Sequence, residues 1–245
     1  MAEIVYPPVL RTALTAFRLL DIRFHMEGTE RVPRSGGAVL VSNHVSYLDF
    51  VFAGFAAHPA GRLVRFMAKK EVFEHPVSGP LMRGMHHIPV DRSAGAGAYD
   101  AAVRALKDGE IVGNFAEATI SRSFTLKEIK SGPVRMAAEA GVPVIPVALW
   151  GGQRLWTKGR PRRLLQRHVP ITILVGEPMH PGAGADIAGL TADLRRQLAD
   201  LLDEAQRTYP DRPEGVWWQP VHLGGTAPTP EEAAALDAAD RSRRK

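Results

Sequence analysis

The chain reads as an α/β fold, with a mixed, largely parallel sheet flanked by helices. Short apolar runs rich in valine and isoleucine alternate with stretches of helical periodicity between residues 38 and 209, the order expected of strand–helix repeats. The run 142–149, Val-Pro-Val-Ile-Pro-Val-Ala-Leu, is apolar throughout, the pattern of a strand covered on both faces. Of 245 residues, 45% are hydrophobic and 23% charged, a composition that supports a sizeable core.

Residues 4–24 carry Val9, Leu10, Ala13, Leu14, Phe17, Leu19 and Leu20 at helical spacing, with Arg11, Arg18 and Arg23 between them. Pro7-Pro8 suits a helix start. The segment 1–24 is expected to be an amphipathic helix, and two placements remain open: on an anionic membrane surface or packed on the core. A turn-rich loop, 31–37, leads to a strand at 38–42, and residues 47–57 read as a helix.

Residues 63–68 suggest a strand, 76–83 a short helix, and 87–92 a strand ending in Arg92. The loop 93–98 has two glycines but lacks the spacing of a dinucleotide fingerprint. Residues 98–107 are helical by propensity and stop at Asp108-Gly109. Strands are expected at 111–115, 142–149 and 170–175, and helices at 132–140 and 187–209. The main domain would span 25–209. Residues 210–245 would form an extension, loose beyond about 222.

Formal net charge is +5, which favours anionic partners. No cysteine is present, so disulfides, thiolate nucleophiles and cysteine zinc sites are excluded. His86-His87 has no third ligand at metal spacing, and neither metal nor cofactor is expected. No stretch reaches the ~18 uncharged apolar residues of a membrane span, and the N-terminus lacks the charge pattern of a signal peptide.

The stretch Val41-Ser-Asn-His-Val-Ser-Tyr-Leu-Asp-Phe50 carries the chemistry. His44 and Asp49 are five positions apart. On one helix they would point about 140° apart, so they meet only across a turn. With His44 at a strand end and Asp49 in the next helix's first turn, the carboxylate can fix the imidazole tautomer and leave the other nitrogen as a base. The same residues also read as a capping box, with Ser46 as cap and Asp49 reaching back, which makes His44 an ordinary turn histidine.

Three further blocks follow in order: Ile88-Pro-Val-Asp-Arg92, Phe115-Ala-Glu-Ala-Thr-Ile-Ser121 and Val142-Pro-Val-Ile-Pro-Val147. Together with Asn43-His44 to Asp49, they resemble the 1-acylglycerol-3-phosphate acyltransferase family over residues 30 to 178. Ala68-Lys-Lys-Glu-Val-Phe73 is also similar to the stretch between that family's first two blocks. The resemblance implies a glycerol-3-phosphate acyltransferase-like fold. It implies transfer of a fatty acyl group from acyl-CoA or acyl-carrier protein to a lysophospholipid acceptor, giving phosphatidic acid. His44 would be the base, oriented by Asp49, and Ser46 a cap. Backbone N–H groups near 117–119 would meet the oxyanion. Arg92 would hold the acceptor phosphate, helped by Lys70 and by Arg122 or Lys130. Glu117 would hold the glycerol hydroxyl or position Arg92, and Thr119 would bond phosphate or cap the next segment. Phe50, Phe52 and Phe55 are candidates for an acyl groove, and equally for core.

The third block departs from the family at Ala116, Ala118 and Ile120, which stand for proline, glycine and arginine. That leaves room for another lipid acceptor, such as an amino-acid lipid or glycolipid. A membrane-facing set would comprise the N-terminal helix, the basic run 154–168 and Trp217-Trp218, making this a peripheral protein of the cytoplasmic face of the cell membrane. A non-enzymatic basic module binding membrane or nucleic acid is the remaining reading. It leaves the ordered blocks unexplained, and no nucleic-acid motif is present.

Overall fold

The computed structural model describes residues 3–91, 97–115, 117 and 119–243. In chain order the elements are α1 (Tyr6–Leu19), β1 (Arg23–Glu27), β2 (Ala38–Ser42), α2 (Asp49–Ala57), β3 (Val64–Lys69), α3 (Lys70–Glu74), α4 (Ser78–Gly84) and β4 (Ile88–Val90). They continue with α5 (Gly97–Lys107), β5 (Ile111–Phe115), α6 (Gly132–Ala140), β6 (Val144–Trp150), β7 (Pro170–Val175), α7 (Ile187–Arg207) and α8 (Pro230–Ser242). The strands form one sheet in the order β1-β7-β6-β2-β5-β3-β4. Every neighbouring pair is parallel except β6–β7. The mixed, largely parallel sheet is thus as the apolar runs require.

All five residues of β2 and all seven of β6 are buried, because helices cover both faces. Leu40 faces a layer containing Phe52, Phe55 and Ala56 of α2, with Leu10 and Phe17 of α1 against it. Val39 and Val41 face Ala102 and Leu106 of α5, Val134 of α6, and Leu194 and Leu198 of α7. The period-2 alternation of a strand therefore serves two cores at once. Asp186 caps α7 by accepting from the Ala188 and Gly189 N–H groups at 3.0 and 3.1 Å.

Several expectations need correction. The N-terminal helix ends at Leu19, not at 24. Arg23 and Phe24 begin edge strand β1, which pairs with β7. The placement of α1 resolves toward packing: Phe17 lies 5.5 to 5.7 Å from Phe24, Phe52 and Phe55, and Tyr6 donates to Val64 O. Leu19 nevertheless stays 70% exposed. The strand expected at 87–92 is only Ile88–Val90, and Arg92 lies outside the described residues.

The tail is not loose. Trp218 and Ala227 are buried beside Trp150 and Tyr209, and residues 230–242 form α8. Part of the basic run is drawn onto aromatic rings, while Arg163 and Arg167 stay exposed. Arg154 lies over Trp218 at 4.5 Å and pairs with Asp211, Arg160 lies over Trp217, and Arg162 over Trp156. Charge repulsion within the run is offset by these rings, which turn it into a lid on its own aromatics.

Candidate active site

Strands β2, β3, β4 and β5 run parallel, so their carboxyl ends share one edge of the sheet. Strand β2 is central, between β6 and β5, and in open α/β sheets ligands bind outside the carboxyl ends where strand order reverses. His44 sits there, two residues past Ser42.

The turn carrying His44 is held from several sides. Asn43, fully buried, extends the ladder with its side chain: Nδ2 donates to Leu149 O at 3.0 Å, and Oδ1 accepts from Leu149 N at 2.7 Å. The chain then turns, and Oδ2 of Asp49 accepts from His44 Nδ1 at 2.9 Å and from the N–H groups of Val45 and Ser46, each at 2.7 Å. Of the capping-box reading, Asp49 does reach back to Ser46 N, but Ser46 is not the helix cap, since α2 starts at Asp49 with Leu48 before it. Asp49 caps the turn and orients the imidazole with the same oxygen. Since that oxygen accepts, Nδ1 carries the proton and Nε2 bears the free lone pair.

Asp49 is 0% exposed, and His44 retains 20% of its side-chain surface. Burial pushes the Asp49 carboxyl up, while the His44 contact and the two N–H groups oppose it. Ser46 is buried; its hydroxyl donates to Trp156 O and accepts from Leu48 N, so it is not free as a nucleophile.

Glu117 lies beside the His44 turn. It is buried, with Oε1 accepting the His44 N–H at 2.7 Å and Oε2 the Lys127 N–H at 3.0 Å. Both oxygens accept backbone N–H groups near the turn, and Arg92, the other partner expected for it, lies outside the described residues. Burial pushes its carboxyl up to about 7 against those two N–H groups and the charges of His44 and Lys127. Of the backbone expected to meet an oxyanion, Thr119 N–H is spent on Glu117 O at 2.8 Å, and Ala118 lies outside the described residues.

The cations assigned to phosphate are not gathered as expected. Arg122 is paired with Asp237 and Asp240. Lys70, half exposed, pairs with Asp91 at 3.2 Å and Glu74 at 3.8 Å. Lys130 is exposed, and Ile120 is buried where the family pattern has arginine. Among the aromatics, Phe52 and Phe55 are core, and Phe50 alone stays 40% exposed, edge-on to Phe66.

Sequence reasoning missed Phe115 and Lys127 as parts of this site. Phe115 ends β5 and stacks on the His44 ring. Its place at the strand end opposite Ser42 was the available signal. His87 is also spent, accepting the Phe66 N–H at 3.0 Å; burial first, then Arg65 and His86, lower it to about 4, so it stays neutral. Among the described residues, no group of three His, Cys, Asp or Glu is placed to hold a metal.

The model of the acyltransferase family matches residues 23–150. The 1-acyl-sn-glycerol-3-phosphate acyltransferase of Bacillus subtilis (strain 168) is 29% identical over 182 residues, covering 70% of this chain and 84% of that protein. A chloroplastic 1-acyl-sn-glycerol-3-phosphate acyltransferase, LPAT1 of Arabidopsis thaliana, is 31% identical over 185 residues. That match covers 74% of this chain but 49% of the plant protein, so the chain spans about half of that relative. The crystal structure of the 1-acyl-sn-glycerophosphate (LPA) acyltransferase PlsC from Thermotoga maritima superposes with a TM-score of 0.68. It is 24% identical, covers 84% of this chain and 81% of its own, and shares the fold. The family match takes in more than half of the chain, including the His44–Asp49 turn, Phe115 and Glu117: the chain belongs to the acyltransferase family.

Proposed function

We propose that this enzyme transfers a fatty acyl group from acyl-CoA or acyl-carrier protein to the free hydroxyl of 1-acylglycerol-3-phosphate, giving phosphatidic acid. His44 Nε2 is the general base. It takes the hydroxyl proton as the oxygen attacks the thioester carbon. The tetrahedral intermediate collapses with loss of the thiolate, and the imidazolium returns the proton to sulfur, so ester and thiol are the products. Asp49 holds the tautomer and stabilises the imidazolium. The His44–Asp49 contact, with two backbone N–H groups on the same oxygen, is the observation that carries this reading.

The test is thiol release from palmitoyl- and oleoyl-coenzyme A, with and without 1-acylglycerol-3-phosphate. Release that depends on the acceptor and disappears in His44→Ala supports it, and release that survives the substitution removes His44 as the base. The buried Ile120 and the neutralised Arg122 favour a second acceptor reading, in which another lysolipid, an amino-acid lipid or a glycolipid takes the acyl group. Running those acceptors in the same assay separates the two.

Association with the cytoplasmic face of the cell membrane belongs to the same proposal. No helix among the described residues is long and apolar enough to cross a membrane. Leu14 and Leu19 are exposed on α1 beside exposed Arg11 and Arg18, a pairing that suits an anionic lipid surface. Equal binding to neutral and anionic liposomes would count against it.

A further inference from the structure

The proton transfer at His44 makes no use of α8, yet α8 is tied to the site by charge. The helix opens with a reciprocal capping box between Thr229 and Glu232. It has little apolar surface to bury: Ala233 is its buried hydrophobic residue. Asp237, 8% exposed, is its main attachment. Its Oδ1 accepts from Lys158 Nζ at 2.6 Å and Arg122 Nε at 3.2 Å, and its Oδ2 accepts from Lys127 Nζ at 2.7 Å. Asp240 adds contacts to Arg122 and Lys158. A carboxylate so placed is tolerable only with its partners present.

The three cations come from two loops, Arg122 and Lys127 from one and Lys158 from another, and each adjoins a brace on the catalytic turn. Next to Arg122, Ser121 N–H donates to His44 O at 2.7 Å. The Lys127 N–H donates to Glu117 Oε2, and Glu117 Oε1 accepts from His44 N. Next to Lys158, Thr157 Oγ1 donates to Val45 O at 2.7 Å. One side chain on the last helix thus ties together two loops, one holding Arg122 and Lys127 and the other Lys158, that both brace His44 and Val45.

We infer that Asp237 is a positioning residue for acyl transfer, fixing the His44 turn through Arg122, Lys127 and Lys158. The inference rests on His44 being the base. A base displaced by a fraction of an ångström leaves substrate binding intact but slows the chemical step.

The experiment uses the full chain and the acceptor-dependent thiol-release assay. It compares wild type, Asp237→Asn, Asp237→Glu, His44→Ala and a Thr229→Ala/Glu232→Ala variant. The last frays the start of α8 without touching the ion cluster. All are assayed well below the lowest thermal unfolding midpoint in the set. Asp237→Asn is expected to lower kcat about tenfold, with KM for donor and acceptor nearly unchanged. Asp237→Glu is expected to recover part of that loss, and the capping variant to lower the midpoint while keeping kcat.

A lowered midpoint with unchanged kcat in Asp237→Asn would make α8 a mere staple and overturn the inference. So would a higher kcat or a lower acceptor KM, which would mean that Asp237 occupies an anion site the acceptor phosphate needs. A silent Asp237→Asn beside an inactive His44→Ala overturns the inference alone. An active His44→Ala overturns the base assignment and this inference together.

Discussion

The His44 imidazole lies against the Phe115 ring, with centroids 4.3 Å apart and planes inclined by 20°. The register of the sheet produces this contact. Ser42 at the end of β2 pairs with Phe115 at the end of β5, so the residue closing one strand sits beside the turn leaving the other. Phe66 also stacks on Phe115, with centroids 5.9 Å apart, and it has room because Gly113 carries no side chain. A Cβ at Gly113 would lie 2.4 Å from the Phe66 ring.

Phe115→Leu should therefore loosen the imidazole without removing it. An aromatic contact of this kind is worth about 0.5–1.5 kcal/mol, so kcat is expected to fall between about twofold and tenfold. Gly113→Ala should disturb the same stack by displacing Phe66, and should also lower the unfolding midpoint. Steady-state kinetics and thermal unfolding of both variants check this.

Asp49 separates geometry from charge. All three of its hydrogen bonds fall on Oδ2, and Oδ1 has no partner among the described residues. In Asp49→Asn, an amide oxygen in the Oδ2 position can still accept all three bonds, so the tautomer persists and the charge opposing the imidazolium is lost. Asp49→Ala also strands the His44, Val45 and Ser46 donors, at about 1–3 kcal/mol for each one left buried. The expected order of kcat is wild type, then Asp49→Asn, then Asp49→Ala. The asparagine variant should fall about 10²-fold, within the range for general acid–base catalysis. Only the alanine variant should lose several degrees of stability.

Glu117 sets a pH dependence. Its carboxyl is pushed up to about 7 by burial, above its ordinary value of 4.5. A group raised on folding binds more protons in the folded state. Its favourable contribution is therefore complete below about pH 4.5 and is lost as pH rises through about 7, at a cost of about 3 kcal/mol once fully ionised. Glu117→Gln cannot ionise but turns an amide N–H toward a backbone donor, a penalty independent of pH. The unfolding midpoint of wild type relative to Glu117→Gln should accordingly decline from pH 5 to pH 8, and a flat difference would contradict the assignment. Activity of Glu117→Gln should be reduced at every pH, since the His44 or Lys127 N–H loses its acceptor.

Asn43 is the hinge between sheet and site. Asn43→Ala removes both bonds to Leu149 and leaves that residue's N–H and C=O unpaired beside a buried strand. The expected loss is about 2–4 kcal/mol of stability, together with reduced kcat, since the turn is then tethered through fewer contacts. Denaturant unfolding measures the first effect and the thiol-release assay the second.

How much of this could be read locally varies from residue to residue. The strands at 38–42, 111–115 and 170–175 lay where their apolar runs placed them, because a chain buried on both faces needs little beyond continuous hydrophobicity. Strand β1 is written in the sequence, since Phe24 and Met26 alternate with Arg23, His25 and Glu27, but this period-2 signal follows directly on a helical pattern and merges with it. Helix α8 had its Thr229-to-Glu232 cap in plain view, but its alanine-rich body lacks an apolar stripe and resembles a loose end. The meeting of His44 and Asp49 needed only a turn between a strand and a helix, and both flanking patterns lie within a few residues.

The partners of Glu117, Arg122 and Asp237 could not be read that way. Burial and charge pairing depend on which distant segments share a volume, and no periodicity encodes that Lys127, Lys158 and Arg122 converge on a carboxylate more than seventy residues away in the chain. Nor does spacing tell a groove phenylalanine from a core one: Phe52 and Phe55 are core because α1 folds over them, and Phe50, on the other side of the same helix, is left partly open. Local pattern therefore carried the α/β architecture and the His44–Asp49 contact, which short-range sterics and hydrophobic periodicity specify. Long-range desolvation and ion pairing determined which charged residues remain free to meet a substrate and which are consumed in holding the site together.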